Sequence, residues 1–145
     1  MIFSQTSQYA LRAVYYLLST GDEKWHLTKD IAEATKIPGP YLARIMSSLA
    51  KRGILKSRTG MGGGFKISSE GLKHSLYDVV SQFDNLTEIK DCAFGLTVYC
   101  ESKKCLLHDE WISLKEQLIK LLESHSLNDL KNAPSCVDWT NIKTQ

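Results

Sequence analysis

A glycine-rich turn between two short alternating segments is the feature that most constrains how this chain can fold. Residues 54–58 and 65–68 alternate apolar and polar side chains, and four of the six residues between them are glycine. The pattern predicts a β-hairpin whose tip turns sharply or approaches another surface closely, because glycine has no side chain to obstruct it. A plain flexible hairpin fits the same pattern. A phosphate-binding loop does not, because the Gly-Lys-Ser/Thr ending and a following helix are both missing.

Apolar residues at helical spacing predict three helices before this hairpin. The first covers residues 7–19, the second is short with Thr28 as its N-cap, and the third runs from about 41 to 52 with Pro40 at its first position. Two helices joined by a tight turn and followed by a hairpin are typical of a winged helix-turn-helix, whose second helix enters the major groove of DNA. The sequence therefore predicts a mainly α fold with a small β-hairpin, in which residues 1–83 form a winged helix-turn-helix DNA-binding domain.

The polar side of the third helix and the hairpin predict the DNA-binding residues. Arg44 lies in the first turns, where a guanidinium can read guanine through two hydrogen bonds, although an ordinary exposed arginine would look the same. Lys51 and Arg52 lie later and fit phosphate contacts, which add affinity without sequence information. The predicted DNA-binding set is Tyr41, Arg44, Ser48, Lys51, Arg52, Arg58, Gly62 and Gly63.

The charge distribution agrees with a polyanion partner. Residues 1–68 contain ten Lys and Arg against four Asp and Glu, whereas the rest of the chain contains eight bases and twelve acids. A solvated surface is the ordinary alternative explanation of such an asymmetry.

Two classes of protein are disfavoured. The longest apolar stretch, residues 13–18, is too short to span a membrane, and the N-terminus lacks the features of a secretory signal, so a cytoplasmic location is expected. No nucleophile-base arrangement or nucleotide fingerprint suggests an enzyme.

Three cysteines and a histidine in an irregular segment predict a metal site. Cys92, Cys100 and Cys105 lie within residues 84–106, and His108 follows three positions after the last of them. Thiolates spread along a loop suit an iron-sulfur cluster, whose irons need ligands from several directions, while the spacing fits a tight zinc site less well. Cysteines that are simply small buried side chains are a further alternative. Cys136 lies far downstream and is interpreted as a bystander.

Two further helices are predicted after the hairpin. Ser75-Leu76-Tyr77-Asp78 has capping-box form and opens a helix that can cover the small core. Over residues 107–123 leucines and a tryptophan recur every three or four positions, which predicts the longest helix, about 17 residues with an apolar seam. Beyond it the periodicity fades, so residues 124–145 are predicted to be a partly ordered tail.

The chain resembles the Rrf family of bacterial winged helix-turn-helix transcriptional regulators over about residues 1–125. The matching stretches are Tyr9-Ala10-Leu11-Arg12, the helix pattern Tyr41-Leu42-x-x-Ile45-x-x-x-Leu49-x-x-x-Gly53, the hairpin Arg58-x-Gly60-x-Gly62-Gly63-Gly64-Phe65, and Cys92, Cys100 and Cys105 with His108 and Trp111. The hairpin and the cysteine triad together are far more specific than either alone.

The resemblance implies a DNA-binding transcriptional regulator, expected to be a repressor, that is gated by an iron-sulfur cluster sensing iron-sulfur status, oxidants or nitric oxide. It also implies a homodimer whose long helices, residues 107–123, cross and place two winged domains on a palindromic double-stranded DNA operator. Cys92, Cys100 and Cys105 would ligate the cluster. In some members a histidine completes a 2Fe-2S site, and in others an aspartate from the partner's N-terminal region completes a 4Fe-4S site. This chain has Gln8 in that region, so His108 and a 2Fe-2S cluster are favoured.

Two features depart from the family pattern. The cysteine spacing is unequal, which leaves the cluster type open, and Ala43 stands where some members have a glutamate that tunes operator choice. Two other functions stay open. One is a regulator of the same fold whose cysteines sense thiol chemistry or hold zinc, and the other is an iron-sulfur electron-transfer protein.

Overall fold

The chain forms six α-helices and one β-hairpin within the residues that the computed structural model describes, which are 2–21, 23–86, 92–94, 96 and 103–142. In chain order the elements are α1 Gln5–Thr20, α2 Thr28–Thr35, α3 Gly39–Lys51, β1 Leu55–Arg58, β2 Gly64–Ile67, a 3-10 helix Gly71–Lys73, α4 Leu76–Val80, α5 His108–Ser124 and α6 Leu127–Asn132. The mainly α fold with a small hairpin is confirmed.

Helix α1 is the centre of the fold. Its first turn is capped by Ser4, whose side chain accepts a hydrogen bond from the Ser7 amide at 3.2 Å. The apolar stripe predicted for this helix is buried, and α1 contacts α2, α3, α4, α6 and β2. The buried apolar residues of the stripe are Ala10, Ala13, Val14, Leu17 and Leu18.

Helices α2 and α3 form the helix-turn-helix. The prediction that Thr28 caps α2 is wrong, because Thr28 is already its first helical residue and Leu27 precedes it without a side-chain cap. The Leu27 carbonyl accepts a hydrogen bond from the Ile31 amide at 3.1 Å, so the first turn closes one residue earlier. Helix α2 ends at Lys36, whose φ of 57° is left-handed, and α3 starts at Gly39 with Pro40 in its first turn. The apolar residues of α3 that recur at helical spacing are buried, and they are Leu42, Ile45, Met46 and Leu49.

The hairpin is an antiparallel pair with Leu55 opposite Ile67 and Arg58 opposite Gly64. The segment before α2 extends this pair, because the His26 amide donates to the Phe65 carbonyl at 2.9 Å and the Phe65 amide donates to the His26 carbonyl at 2.8 Å. The hairpin is therefore fixed to the start of α2 as well as to the end of α3.

The described residues after α5 form more regular structure than predicted. Helix α5 agrees with the predicted long helix, but residues 124–145 also contain α6, which opens with a Ser126–Asp129 capping box. Leu127 of α6 is fully buried in the main core beside α1. Six residues are too few to show helical periodicity, which is why the sequence pattern missed this helix. None of the helices in the described part of the chain has the length and hydrophobicity of a membrane-spanning segment.

Candidate nucleic-acid interface

The exposed face of α3 carries two unneutralised cations. Burial of one stripe of α3 turns Ala43, Arg44, Ser47, Ser48 and Lys51 outward, where they line a shallow concave surface. Arg44 and Lys51 are exposed, and no acidic side chain in the described ranges forms an ion pair with either. Both charges are thus available to an external anion.

A groove runs between α2, α3 and the hairpin, which is termed the wing from here on. Thr28 and Lys29 of α2, Ser47 and Lys51 of α3, and Arg58 of the wing contribute to its lining. Thr28, Lys29 and Ser47 are not among the DNA-binding residues predicted from the sequence. For Thr28 and Lys29 the signal was the position of α2, because the first helix of a helix-turn-helix crosses the DNA backbone and its N-terminal amides favour anions.

Tyr41 is tied to α1. Its hydroxyl shares a hydrogen bond with the Thr6 side chain, and its ring meets the edge of Tyr9 with centroids 5.7 Å apart. The side chain remains 37% exposed. Tyr41 therefore orients the start of α3 and still presents part of its ring outside.

Arg52 belongs to a polar cluster between α3 and α4. Its guanidinium lies 3.5 Å from Asp78, whose carboxylate also lies 3.2 Å from His74 Nδ1 and accepts a 2.9 Å hydrogen bond from the Ser75 amide. Burial is the largest influence on Asp78 and raises its pKa, but the hydrogen bonds from Ser75 and His74 together outweigh burial and leave the pKa below its ordinary value. The ionised Asp78 shares the charge of Arg52, which leaves Arg52 less available than Lys51.

Arg58 is exposed and packs against the wing. Its guanidinium lies over the Trp25 ring, 4.4 Å from the centroid, and donates a hydrogen bond to the Gly62 carbonyl. Lys66 Nζ lies 5.2 Å from the same ring. Two wing cations are thus held on one tryptophan.

The wing glycines have distinct roles. Gly63 is buried, and a Cβ there would lie 2.3 Å from the Arg58 carbonyl oxygen, so only glycine fits. Gly62 has a φ of 72°, which also favours glycine. Met61 projects from the tip fully exposed, at 103% of its reference area. Met61 is not among the residues predicted from the sequence, although it lies between glycines at the tip of the predicted hairpin.

The predicted metal ligands are described only in part. Cys105 is exposed, and its carbonyl accepts a 3.1 Å hydrogen bond from the His108 amide, which places both residues in the turn that opens α5. Cys92 is half-buried, and its Sγ accepts from the Phe94 amide at 3.4 Å. Cys100 lies outside the described residues. Within the described ranges, no three His, Cys, Asp or Glu side chains are grouped closely enough to hold a metal ion.

Helix α5 leaves much of its apolar seam uncovered in the single chain. Leu122 is buried against Val80 and Leu86, but Trp111, Leu114 and Leu121 are 37%, 59% and 55% exposed. Exposed large apolar residues on one long helix indicate an interaction surface.

The helix-turn-helix and the wing, which is hydrogen-bonded to the segment before α2, define a winged helix-turn-helix protein. The exposed cations of α3 agree with this class. The family model Rrf2, described as an iron-dependent transcriptional regulator, matches residues 3–133. The chain therefore belongs to the Rrf2 family of transcriptional regulators, which confirms the resemblance seen in the sequence.

Individual relatives agree with this assignment. A protein of Aquifex aeolicus assigned as an HTH-type transcriptional regulator is 34% identical over 134 residues, covering 91% of this chain and 92% of its own. The HTH-type transcriptional regulator IscR of Klebsiella pneumoniae is 30% identical over 116 residues, or 80% of this chain and 71% of its own.

Solved structures share the fold. CymR of Staphylococcus aureus superposes with a TM-score of 0.72 at 19% identity over 91% of this chain and 99% of its own. T. potens IscR gives a TM-score of 0.64 at 24% identity over 88% and 83%.

Proposed function

We propose that this chain is a DNA-binding transcriptional repressor that reads a palindromic double-stranded operator with α3 and the wing. The observation that carries the proposal is the pair of open cations, Arg44 and Lys51, on the exposed face of the second helix of a winged helix-turn-helix. Arg44 lies early in α3, where a side chain reaches base edges, and Lys51 lies at its end, where phosphate is nearer. Ser48 lies between them on the same concave surface and suits either kind of contact.

The other predicted DNA-binding residues have supporting roles in this proposal. Tyr41 orients α3, while Arg52 contributes a weaker phosphate contact because Asp78 shares its charge. Arg58 and Gly62 hold the wing in shape through their hydrogen bond, and Gly63 permits the close turn beneath the tip. The wing tip would then approach the sugar-phosphate backbone beside the major groove.

The experiment for DNA binding starts from operators selected out of random double-stranded DNA, followed by anisotropy titrations at several salt concentrations. Lys51→Ala is expected to weaken binding to all DNA sequences and to reduce the slope of log affinity against log salt concentration by about 1. Arg44→Ala is expected to lose about 1–3 kcal/mol of discrimination between bases at one operator position. Lys120→Ala, which removes an exposed cation of α5, is the matched control. If Arg44→Ala behaves like this control, α3 is not the reading element.

The homodimer is the second part of the proposal. The uncovered seam of α5, which includes Leu114 and Leu121, supports pairing with the same helix of a second copy. Two copies related by a two-fold axis would present two α3 helices to two half-sites.

The third part of the proposal is control by an iron-sulfur cluster. The donor types fit such a group, because thiolates ligate both 2Fe-2S and 4Fe-4S clusters and imidazoles replace thiolates in some 2Fe-2S sites. Cys105 and His108 share the turn that opens α5, and Cys92 and Cys100 would supply the other ligands. When bound, the cluster would supply redox and nitric oxide chemistry. His108 as fourth ligand favours the 2Fe-2S form.

Exposed Cys105 also supports a second candidate, in which the cysteines act as thiol sensors or hold zinc without a cluster. Anaerobic purification with iron, acid-labile sulfide and zinc assays separates these possibilities. Matched iron and sulfide, lost in Cys92→Ser and kept in Cys136→Ser, are expected for the cluster. Zinc alone, or neither metal after reconstitution, would move the function to the second candidate. An iron-sulfur protein without salt-dependent DNA binding would be an electron carrier instead.

A further inference from the structure

A second concave surface lies where α1 meets the C-terminal residues, away from the wing and the cysteines. Leu11 and Tyr15 of α1, Leu130 of α6, and Trp139 of the following segment form its walls. This surface, termed the C-terminal pocket, is almost entirely apolar. An apolar concavity with a few polar groups is the usual form of a small-molecule site.

The wall of the C-terminal pocket is built by specific contacts. Trp139 packs edge-on against Tyr16 with centroids 5.2 Å apart and lies 5.8 Å from Tyr15. The Cys136 amide donates a 3.1 Å hydrogen bond to the Tyr15 hydroxyl. Leu127, fully buried, anchors α6 beside them. The pocket is therefore preformed by the chain itself, which lowers the entropic cost of binding a ligand.

Among the described residues that line the C-terminal pocket, Arg12 is the one that carries a charge. Its guanidinium donates to the Thr35 carbonyl at 3.2 Å and lies 5.3 Å from the Tyr9 ring centroid. Within the described part of the chain no carboxylate forms an ion pair with it. One cation at the edge of an apolar cavity is complementary to a ligand with an apolar body and a single negative charge.

We propose that the C-terminal pocket binds an apolar monocarboxylate, with its hydrocarbon body against Leu11, Leu130 and Trp139 and its carboxylate on Arg12. The same guanidinium holds the last residue of α2, directly before the turn that leads into α3. A bound carboxylate competes with the Thr35 carbonyl for Arg12 and loosens that turn. Loosening this turn would lower DNA affinity and make the ligand an effector. This effect on DNA binding rests on the proposed function.

Binding is tested without DNA, by calorimetry with 2-naphthoate and its uncharged analogue 2-naphthamide. The expected result is one saturable naphthoate site per chain. Ala133→Trp, which fills the C-terminal pocket, should weaken binding by at least about tenfold, while Asn128→Trp on the exposed side of α6 should not. Arg12→Gln should weaken naphthoate about tenfold and leave naphthamide nearly unchanged.

A readout on the unmodified protein makes the test independent of variant folding. Cys136 is exposed and lines the pocket, so naphthoate should slow its alkylation by iodoacetamide, measured by mass spectrometry of its peptide. Naphthoate binding that persists in Ala133→Trp, no saturable binding at millimolar ligand, or unchanged alkylation would overturn the proposal. A changed oligomeric state of Ala133→Trp would assign the pocket to a second copy and overturn it as well.

The effector role has a separate arm. Naphthoate should lower the DNA affinity of the unmodified protein by about fivefold or more, and Arg12→Gln should lose this response. Naphthoate that binds without changing DNA affinity refutes the coupling. Absence of DNA binding before any ligand is added refutes the proposed function instead, so the two failures are distinguishable.

Discussion

Replacing Gly64 by Ala should destabilise the protein more than the same replacement at Gly60 or Gly39. Gly64 opens β2 with a φ of 125°, a conformation that residues with a side chain rarely adopt. A Cβ added there would lie 2.1 Å from the His26 carbonyl oxygen and 2.6 Å from its carbon. Both atoms belong to the backbone, so no side-chain rotation relieves the clash.

The loss in the free energy of unfolding is estimated from the backbone strain at Gly64 and from the hydrogen bonds that a shift of the strand would break. Backbone strain at such a φ costs about 1–3 kcal/mol. Moving the strand away from His26 also breaks the two hydrogen bonds between His26 and Phe65, with a net contribution of about 0.5–1.5 kcal/mol each. Together these estimates place the loss in the free energy of unfolding at about 2–6 kcal/mol, a large share of the stability of a small domain.

Two other glycines provide matched controls for this substitution. Gly60 has a φ of 86° but nothing lies within 4 Å of an added Cβ, so Gly60→Ala should cost about 1–2 kcal/mol from strain alone. Gly39 is the first residue of α3, with open space and no positive φ, so Gly39→Ala should be neutral or stabilising by up to about 1 kcal/mol.

Urea unfolding followed by circular dichroism and tryptophan fluorescence gives these free energies, and Trp25, which lies beneath Arg58, is one of three tryptophans that contribute to the fluorescence. The expected order of destabilisation is Gly64 first, Gly60 second and Gly39 last. If Gly64→Ala costs no more than Gly60→Ala, the close approach to His26 is not what requires glycine at this position.

Three further predictions concern the core, the polar cluster and the long helix. Leu127→Ala should lower the free energy of unfolding by about 2–5 kcal/mol, whereas Leu106→Ala, at a 95% exposed site, should change it by less than about 0.5 kcal/mol in the same urea experiment. Because its folded-state pKa is lowered, Asp78 stabilises the fold at pH values above its ordinary pKa of 3.8, and this contribution is lost as the pH falls through the lower folded-state pKa. Asp78→Asn should therefore flatten the acid side of the plot of unfolding free energy against pH. An unchanged plot would contradict the role of the Asp78 contacts, including the one with His74. Leu121→Asp should convert a dimer to monomers in sedimentation velocity, and a dimer that survives would place the interface elsewhere.

The helix-turn-helix and the wing were predictable because their signals are local. The stripe of α3 repeats at helical spacing, and the glycine run marks the hairpin, so both elements follow from neighbouring residues alone. The start of α2 was misplaced by one residue because a preferred capping residue does not by itself determine where the first turn closes.

The environment of the predicted DNA-binding residues was not predictable in this way. The partners of Tyr41 and Arg52 are Thr6 and Asp78, which lie 35 and 26 positions away in sequence. Only the tertiary structure brings such pairs together, and it distinguishes the open Lys51 from the paired Arg52 beside it. The set of eight DNA-binding residues remains a prediction. The structure separates its cations by whether an acidic side chain pairs with them.

The beginning of α4 links α3 to the C-terminal helices α5 and α6. Asp78 of α4 pairs with Arg52 just after α3, while the Leu76 amide donates to the His125 carbonyl at 3.0 Å. The Leu127 amide in turn donates to the His74 carbonyl at 2.8 Å. Backbone hydrogen bonds resist stretching, so we expect a displacement of the C-terminal end of α5 to move α4, which is connected to the end of α3 by the 3.5 Å ion pair between Asp78 and Arg52. In the proposed cluster-controlled regulator, a signal received near Cys105, at the opposite end of α5, would travel to α3 along these contacts.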